Sequence, residues 1–188
     1  MTIVGIDEVG RGCWAGPLVA AAVVLARPTK GLKDSKKLPR AERERLAKII
    51  HKKALATGIG WVPAAELDEV GLTEAVRRAM QRALEHIGIP YDKIIIDGNY
   101  NYLTNVKKTE VLIKADDLVP AVSAASIIAK VARDQYMAAL DGNYKKYQFA
   151  QHVGYGTPLH QQLLAEHGIS DIHRRLFKPI QSLLDETA

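Results

Sequence analysis

The sequence predicts an α/β fold: a mixed central sheet flanked by helices, followed by a helical C-terminal region. Two observations carry this. Short apolar runs with strand character fall early in the chain, at residues 3–6, 18–25, 57–62, 93–96 and 110–113. Longer stretches with apolar residues at helical spacing lie between and after them, at 40–55, 63–86, 120–140, 158–167 and from 179 on.

Each element has a local reason. Residues 18–25 are almost wholly apolar, as expected of a central strand covered on both faces. Between the first two strands, Gly10, Gly12, Gly16 and Pro17 mark a shaped loop. Residues 40–55 place Leu46, Ile49, Ile50 and Leu55 at helical spacing. Pro63 opens a helical stretch that breaks near Gly71 and is terminated by Gly88 and Pro90. Pro120 suits the first turn of the next helix, where its missing N–H has no helical partner. Strands dominate early and helices late, so residues 1–140 read as an α/β unit and 141–188 as a helical region packed on it, with no linker composition at the boundary.

The chain has 188 residues, 47% apolar and 25% charged, which fits a soluble globular protein with a sizeable core. Its single cysteine, Cys13, excludes an internal disulfide framework and a four-cysteine zinc site. The longest apolar run, 18–26, is far short of a membrane span, and the start Met1-Thr-Ile-Val-Gly-Ile runs into Asp7-Glu8 with no basic leader. The expectation is a cytoplasmic protein with no membrane partner, taken as a monomer. The formal charge of +5 favours an anionic partner.

Acids stand where strands are expected to end: Asp7 and Glu8, Asp97, and Asp116. Four carboxylates gathered together repel one another unless a cation sits among them. Such hard oxygen ligands suit Mg²⁺ or Mn²⁺. Two such ions about 4 Å apart can activate a water and stabilise the leaving oxygen of a phosphodiester. Each acid taken singly is equally an ordinary cap or loop residue. Asp7 and Glu8 are consecutive, so both reach one site only if the strand ends or bends there, which Gly10 and Gly12 permit.

Gly10-Arg11-Gly12 sets an arginine between two residues that let backbone N–H groups approach a phosphate or sugar; it can also be a plain turn with a surface arginine. Residues 30–53 hold ten Lys or Arg against three acids, an excess larger than that of the whole chain. This fits a phosphate backbone, with Lys36 and Lys37 as candidate phosphate contacts, or a solvated helix face. Ser126, Lys130 and Asp134 share a helix face and either support the helix or brace the acids. Tyr155, within Gly-Tyr-Gly-Thr, packs on the core or offers a stacking platform. His152 and His160 lack metal-ligand spacing and read as surface or hydrogen-bonding residues.

Taken in order, Gly5-Ile-Asp-Glu-Val-Gly-Arg-Gly12, Ala15-Gly-Pro17, Asp34-Ser-Lys-Lys-Leu38, Ile96-Asp-Gly98, Lys114-Ala-Asp116, Ser123-Ala-Ala-Ser-Ile-Ile-Ala-Lys130, Arg133-Asp134, Gly154-Tyr-Gly-Thr157, His173-Arg174 and Phe177 resemble the motifs of the ribonuclease HII family. The resemblance implies a ribonuclease H-like fold. It also implies cleavage of the RNA strand of RNA–DNA hybrids and incision 5′ of ribonucleotides embedded in duplex DNA, leaving 3′-OH and 5′-phosphate ends. By the same resemblance Asp7, Glu8, Asp97 and Asp116 hold two divalent ions, Mg²⁺ or Mn²⁺. Gly10, Arg11 and Gly12 sense the ribose 2′-OH, and Tyr155 stacks on the sugar that follows. The chain departs from the pattern at Leu176, where a serine is usual, which concerns a local hydrogen bond. Residues 99–108 match no part of it and read as a hairpin or loop. A non-catalytic hybrid-binding module and another nuclease on the same fold are the competing readings.

Overall fold

The structure, a computed structural model, describes residues 1–27, 31–32 and 38–186. Five strands form one sheet in the order β3-β2-β1-β4-β5. They are β1 (Ile3–Val9), β2 (Leu18–Leu25), β3 (Ala54–Val62), β4 (Lys93–Asp97) and β5 (Thr109–Leu112). β1 pairs antiparallel with β2 and parallel with β4, so it is the strand at which the sheet changes from one pairing mode to the other. β2 and β3 are antiparallel, β4 and β5 parallel.

Helices cover both faces. On one side α3 (Leu72–Glu85), preceded by α2 (Ala64–Val70), packs Val76, Ala79, Met80 and Ala83 against Val4, Ile6, Ala22 and Ile96. On the other, α5 (Pro120–Ala139) and α1 (Arg40–Lys53) pack Ala124, Ile128, Leu46 and Ile50 against Ala21 and Val23. β2 is thus sandwiched, as its unbroken apolar run predicts. Gly5 lets α5 approach closely: a Cβ there would collide with the backbone of Ala121 and Val122. This close fit brings Ser126, one and a half turns into the helix, to Asp7 on β1.

After α5 the chain runs through α6 (Phe149–His152), α7 (Pro158–His167) and α8 (Lys178–Glu186). Tyr147, Phe149, Leu164 and Ile180 pack with Ala15 and Met137 into a further apolar cluster.

One expectation is corrected. Asp116 does not end a strand. β5 stops at Leu112, and Lys114, with φ 59°, turns the chain into the short helix α4 (Ala115–Leu118), which carries Asp116 in its first turn. Of the two readings of residues 99–108, hairpin or loop, the loop holds, because the strands they connect are parallel. This loop buries Tyr102 and Leu103 in the α3-side core.

Candidate active site

The sheet register brings the first acids together. Ile6 pairs with Ile96, so Asp7 and Asp97, the next residue on each strand, leave the same end of adjacent strands. Asp7 is 8% exposed. Burial, then the neighbouring charges of Glu8 and Asp97, push its carboxyl well above the usual carboxylate range, against hydrogen bonds from Ser126 and the Glu8 backbone. The Glu8 N–H donates to Asp7 Oδ1 at 2.8 Å. Asp97 Oδ1 accepts from the Ala115 N–H at 2.7 Å, and Asp116 is the next residue. The Asp116 carbonyl accepts from the Ser123 hydroxyl, tying α4 to α5.

All four acids therefore stand at one end of the sheet, but not as a compact set. Among the described residues no group of three or more His, Cys, Asp or Glu has the geometry to hold a metal ion. Asp7 and Glu8 are neighbours on β1, paired with Ala21 and Ala20, and the like charges of Glu8 and Asp97 work against a closer gathering around Asp7.

Gly10, with φ 86°, begins a tight turn closed by the Cys13 N–H on the Gly10 carbonyl at 3.3 Å. Arg11 sits at its exposed tip. It pairs with Glu8 at 3.6 Å, and its guanidinium lies 5.8 Å from the centroid of the Tyr102 ring. Gly12 is exposed beside it.

Two buried arginines, given no role in the sequence reading, hold this loop. Arg133 donates to the carbonyls of Pro17 and Val153 at 2.8 Å and of Ala15 at 3.0 Å. Arg174 donates to Gly16 at 2.9 Å and to Arg11 at 3.3 Å. Burial pulls the Arg174 guanidinium down to about 10. Arg133 could have been found by periodicity, since Ala125, Ala129 and Met137 stand at four-residue steps around it on the apolar stripe of α5. Arg174 lies outside any helix and carries no such signal.

Tyr155 is partly buried beside Arg133. Lys130 and Arg133 stand 5.3 and 5.8 Å from its ring centroid. Burial raises its hydroxyl to about 12, and that hydroxyl shares a hydrogen bond with the buried Cys13 thiol. Lys130 also pairs with Asp134 at 2.8 Å, and Asp134 with Arg43 of α1 at 3.5 Å. Lys36 and Lys37 lie outside the described residues. On α1, Arg40 and Arg45 are paired with Glu44 and Glu42, so its basic face is carried by the exposed Lys48, Lys52 and Lys53.

His152 and His160, expected as surface or hydrogen-bonding residues, are buried and hydrogen-bonded, and His173 joins them. Burial lowers all three, His160 to about 4 and His173 to about 3. The folded chain then holds fewer protons on them than the unfolded chain, whose histidines titrate near 6.5. Their contribution to stability is complete above about pH 6.5 and is lost as the pH falls toward 4 and 3, by a few kcal/mol. Asp7, with a raised carboxyl, has the opposite sign. Urea midpoints of Asp7→Asn from pH 7.5 to 4.5 read the histidines without it: a plateau above about pH 6.5 and a fall below it are expected, and a profile flat throughout contradicts the assignment.

A mixed sheet flanked by helices, with carboxylates at the end of its central strands beside a glycine-flanked arginine, is the architecture of a ribonuclease H-type nuclease. The comparisons sharpen that class. The family model for Ribonuclease HII matches residues 4–180. Ribonuclease HII of Shewanella sp. (strain MR-7) is 43% identical over 189 aligned residues, covering 97% of this chain and 90% of that protein. The Janthinobacterium sp. (strain Marseille) protein is 45% identical over 184, covering 97% and 87%. The crystal structure of ribonuclease H2 from Pyrococcus horikoshii OT3 superposes with a TM-score of 0.87 at 27% identity, covering 99% of this chain and 98% of that one. The chain belongs to the ribonuclease HII family, and it is an endoribonuclease, which sets aside a non-catalytic binding module. Among the described residues no helix is long and apolar enough to cross a membrane.

Proposed function

We propose that this endoribonuclease hydrolyses the RNA strand of RNA–DNA hybrids and incises 5′ of ribonucleotides embedded in duplex DNA, leaving 3′-OH and 5′-phosphate ends. The observation that carries the reading is the β1–β4 register, which sets Asp7 and Asp97 side by side next to the Gly10–Gly12 turn. The donor set fits hard divalent cations: every candidate ligand is a carboxylate oxygen, and buried Asp7 is repelled by Glu8 and Asp97, a cost that a cation relieves. Asp7, Glu8, Asp97 and Asp116 would hold Mg²⁺ or Mn²⁺. Such ions, when bound, supply a water nucleophile at neutral pH and positive charge at the leaving oxygen.

The chain's own residues do the rest. Arg11, steadied by Glu8 and the Tyr102 ring, grips the phosphate beside the ribonucleotide. The Gly10–Gly12 backbone, kept in its turn by Arg133 and Arg174, reads the 2′-OH that separates RNA from DNA. Tyr155 stacks on the following sugar. The Lys48, Lys52 and Lys53 face of α1 receives the phosphate backbone of the duplex.

The test is a labelled DNA duplex bearing one ribonucleotide, and a long hybrid, incubated with Mg²⁺, with Mn²⁺ and with chelator. A metal-dependent nick 5′ of the ribonucleotide is expected. No nick on either substrate with either ion overturns the reading.

A further inference from the structure

Two of the three histidines, His160 and His173, form an ordered chain of hydrogen bonds whose proton positions are settled from outside. His173 Nδ1 faces the Ser170 backbone N–H at 2.9 Å and the Ser170 hydroxyl, which can also donate to it, at 2.8 Å. A backbone N–H only donates, so Nδ1 accepts, and the proton of neutral His173 sits on Nε2. His160 Nδ1 faces the Tyr155 carbonyl at 3.0 Å. A carbonyl only accepts, so His160 carries its proton on Nδ1 and its Nε2 is an acceptor. The two Nε2 atoms are 3.0 Å apart, one a donor and the other an acceptor. Two tautomers assigned independently thus match where they meet. His152 stacks on His160 with centroids 4.2 Å apart; its Nε2 donates to the Tyr147 carbonyl at 2.8 Å and its Nδ1 accepts from the Gly154 N–H at 3.2 Å. Gly154 and Tyr155 are therefore clamped from both sides.

We propose that His160 and His173 are positioning residues: a one-directional relay, Ser170 N–H to His173 to His160 to the Tyr155 carbonyl, that fixes the Tyr155 ring for its nucleotide. This rests on the reading of Tyr155 as a stacking platform. A second proton on His160 would confront the His173 Nε2–H, and one on His173 Nδ1 would confront the Ser170 N–H and turn the Ser170 hydroxyl from donor to acceptor, so the relay in this direction has both rings neutral. The titratable groups facing the pair are His152, Tyr147, Tyr155 and Asp171.

The test combines kinetics with spectroscopy. On a single-ribonucleotide duplex at saturating Mg²⁺, His160→Leu is expected to lower kcat/KM about tenfold, the scale of one lost hydrogen bond. His160→Asn, whose amide can donate to the same carbonyl, recovers most of that loss. In a Tyr155→Ala background His160→Leu costs nothing further. An equal cost in both backgrounds means a merely structural role and overturns the relay, as does a harmless His160→Leu beside a damaging Tyr155→Ala. A harmless Tyr155→Ala removes the platform reading itself, and the proposal with it. Should His160→Leu fail to fold, ¹⁵N NMR of the unaltered protein at pH 6 decides: His173 protonated on Nε2 and His160 on Nδ1 support the relay, and any other protonation pattern overturns it.

Discussion

Replacing Asp7 with asparagine is expected to abolish cleavage and to make the protein more stable. The two effects share one cause. Asp7 is buried, and its nearest charges, Glu8 and Asp97, are both negative. The folded chain therefore carries a desolvated, repelled carboxylate that the unfolded chain does not. An asparagine keeps the shape and can still accept from the Glu8 N–H, but it sheds the charge. The gain is expected as a rise of a few degrees in melting temperature, measured in chelator. Divalent ions added to the unaltered protein should raise its melting temperature by mass action, and the variant's much less. The cleavage rate should fall about 10³-fold or more, with hybrid binding largely kept, because the change removes a candidate ligand and no phosphate contact. A variant that cleaves at the original rate, or melts earlier in chelator, refutes the assignment of Asp7.

How far such a site can be read from sequence depends on what produces it. β2 was legible because burial on both faces demands an unbroken apolar run. Asp7 and Asp97 were legible as acids closing apolar runs, and the sheet does place them together. Asp116 was legible as an acid but not in its setting, since nothing in Lys114 announces the left-handed turn that starts a helix there. The loop from 99 to 108 has no period, yet it buries Tyr102 beneath Arg11. The histidines had no pattern to show. They come from α6, from α7 and from the segment before α8, and only tertiary packing makes them neighbours. Carboxylates at strand ends are a local signal, whereas the groups that hold the loop and Tyr155 in place are a long-range one. Arg133 lies between these cases, on a readable stripe but with partners more than a hundred residues away at Ala15 and Pro17.

Arg133 is also where the largest loss of stability is expected. Its side chain is fully buried and serves three carbonyls from two segments: Ala15 and Pro17 beside the Gly10 turn, and Val153 beside Tyr155. Gly10 has no Cβ because this guanidinium fills the space. Arg133→Met keeps the length and strands all three acceptors. At about 1–3 kcal/mol each, softened by local relaxation, the expected loss is roughly 3–5 kcal/mol, about 10 °C or more in melting temperature. Arg174→Met should cost less. Among the described residues that guanidinium serves two carbonyls and its buried Nη2 has no hydrogen-bond partner, and burial already lowers it to about 10, so its removal also relieves a cost. Arg133→Lys retains charge but not the planar fork, and should fall between Arg133→Met and the unaltered protein. Urea midpoints of the three variants give the order. If Arg133→Met unfolds at the original midpoint, or later than Arg174→Met, the carbonyl clamp does not hold the loop.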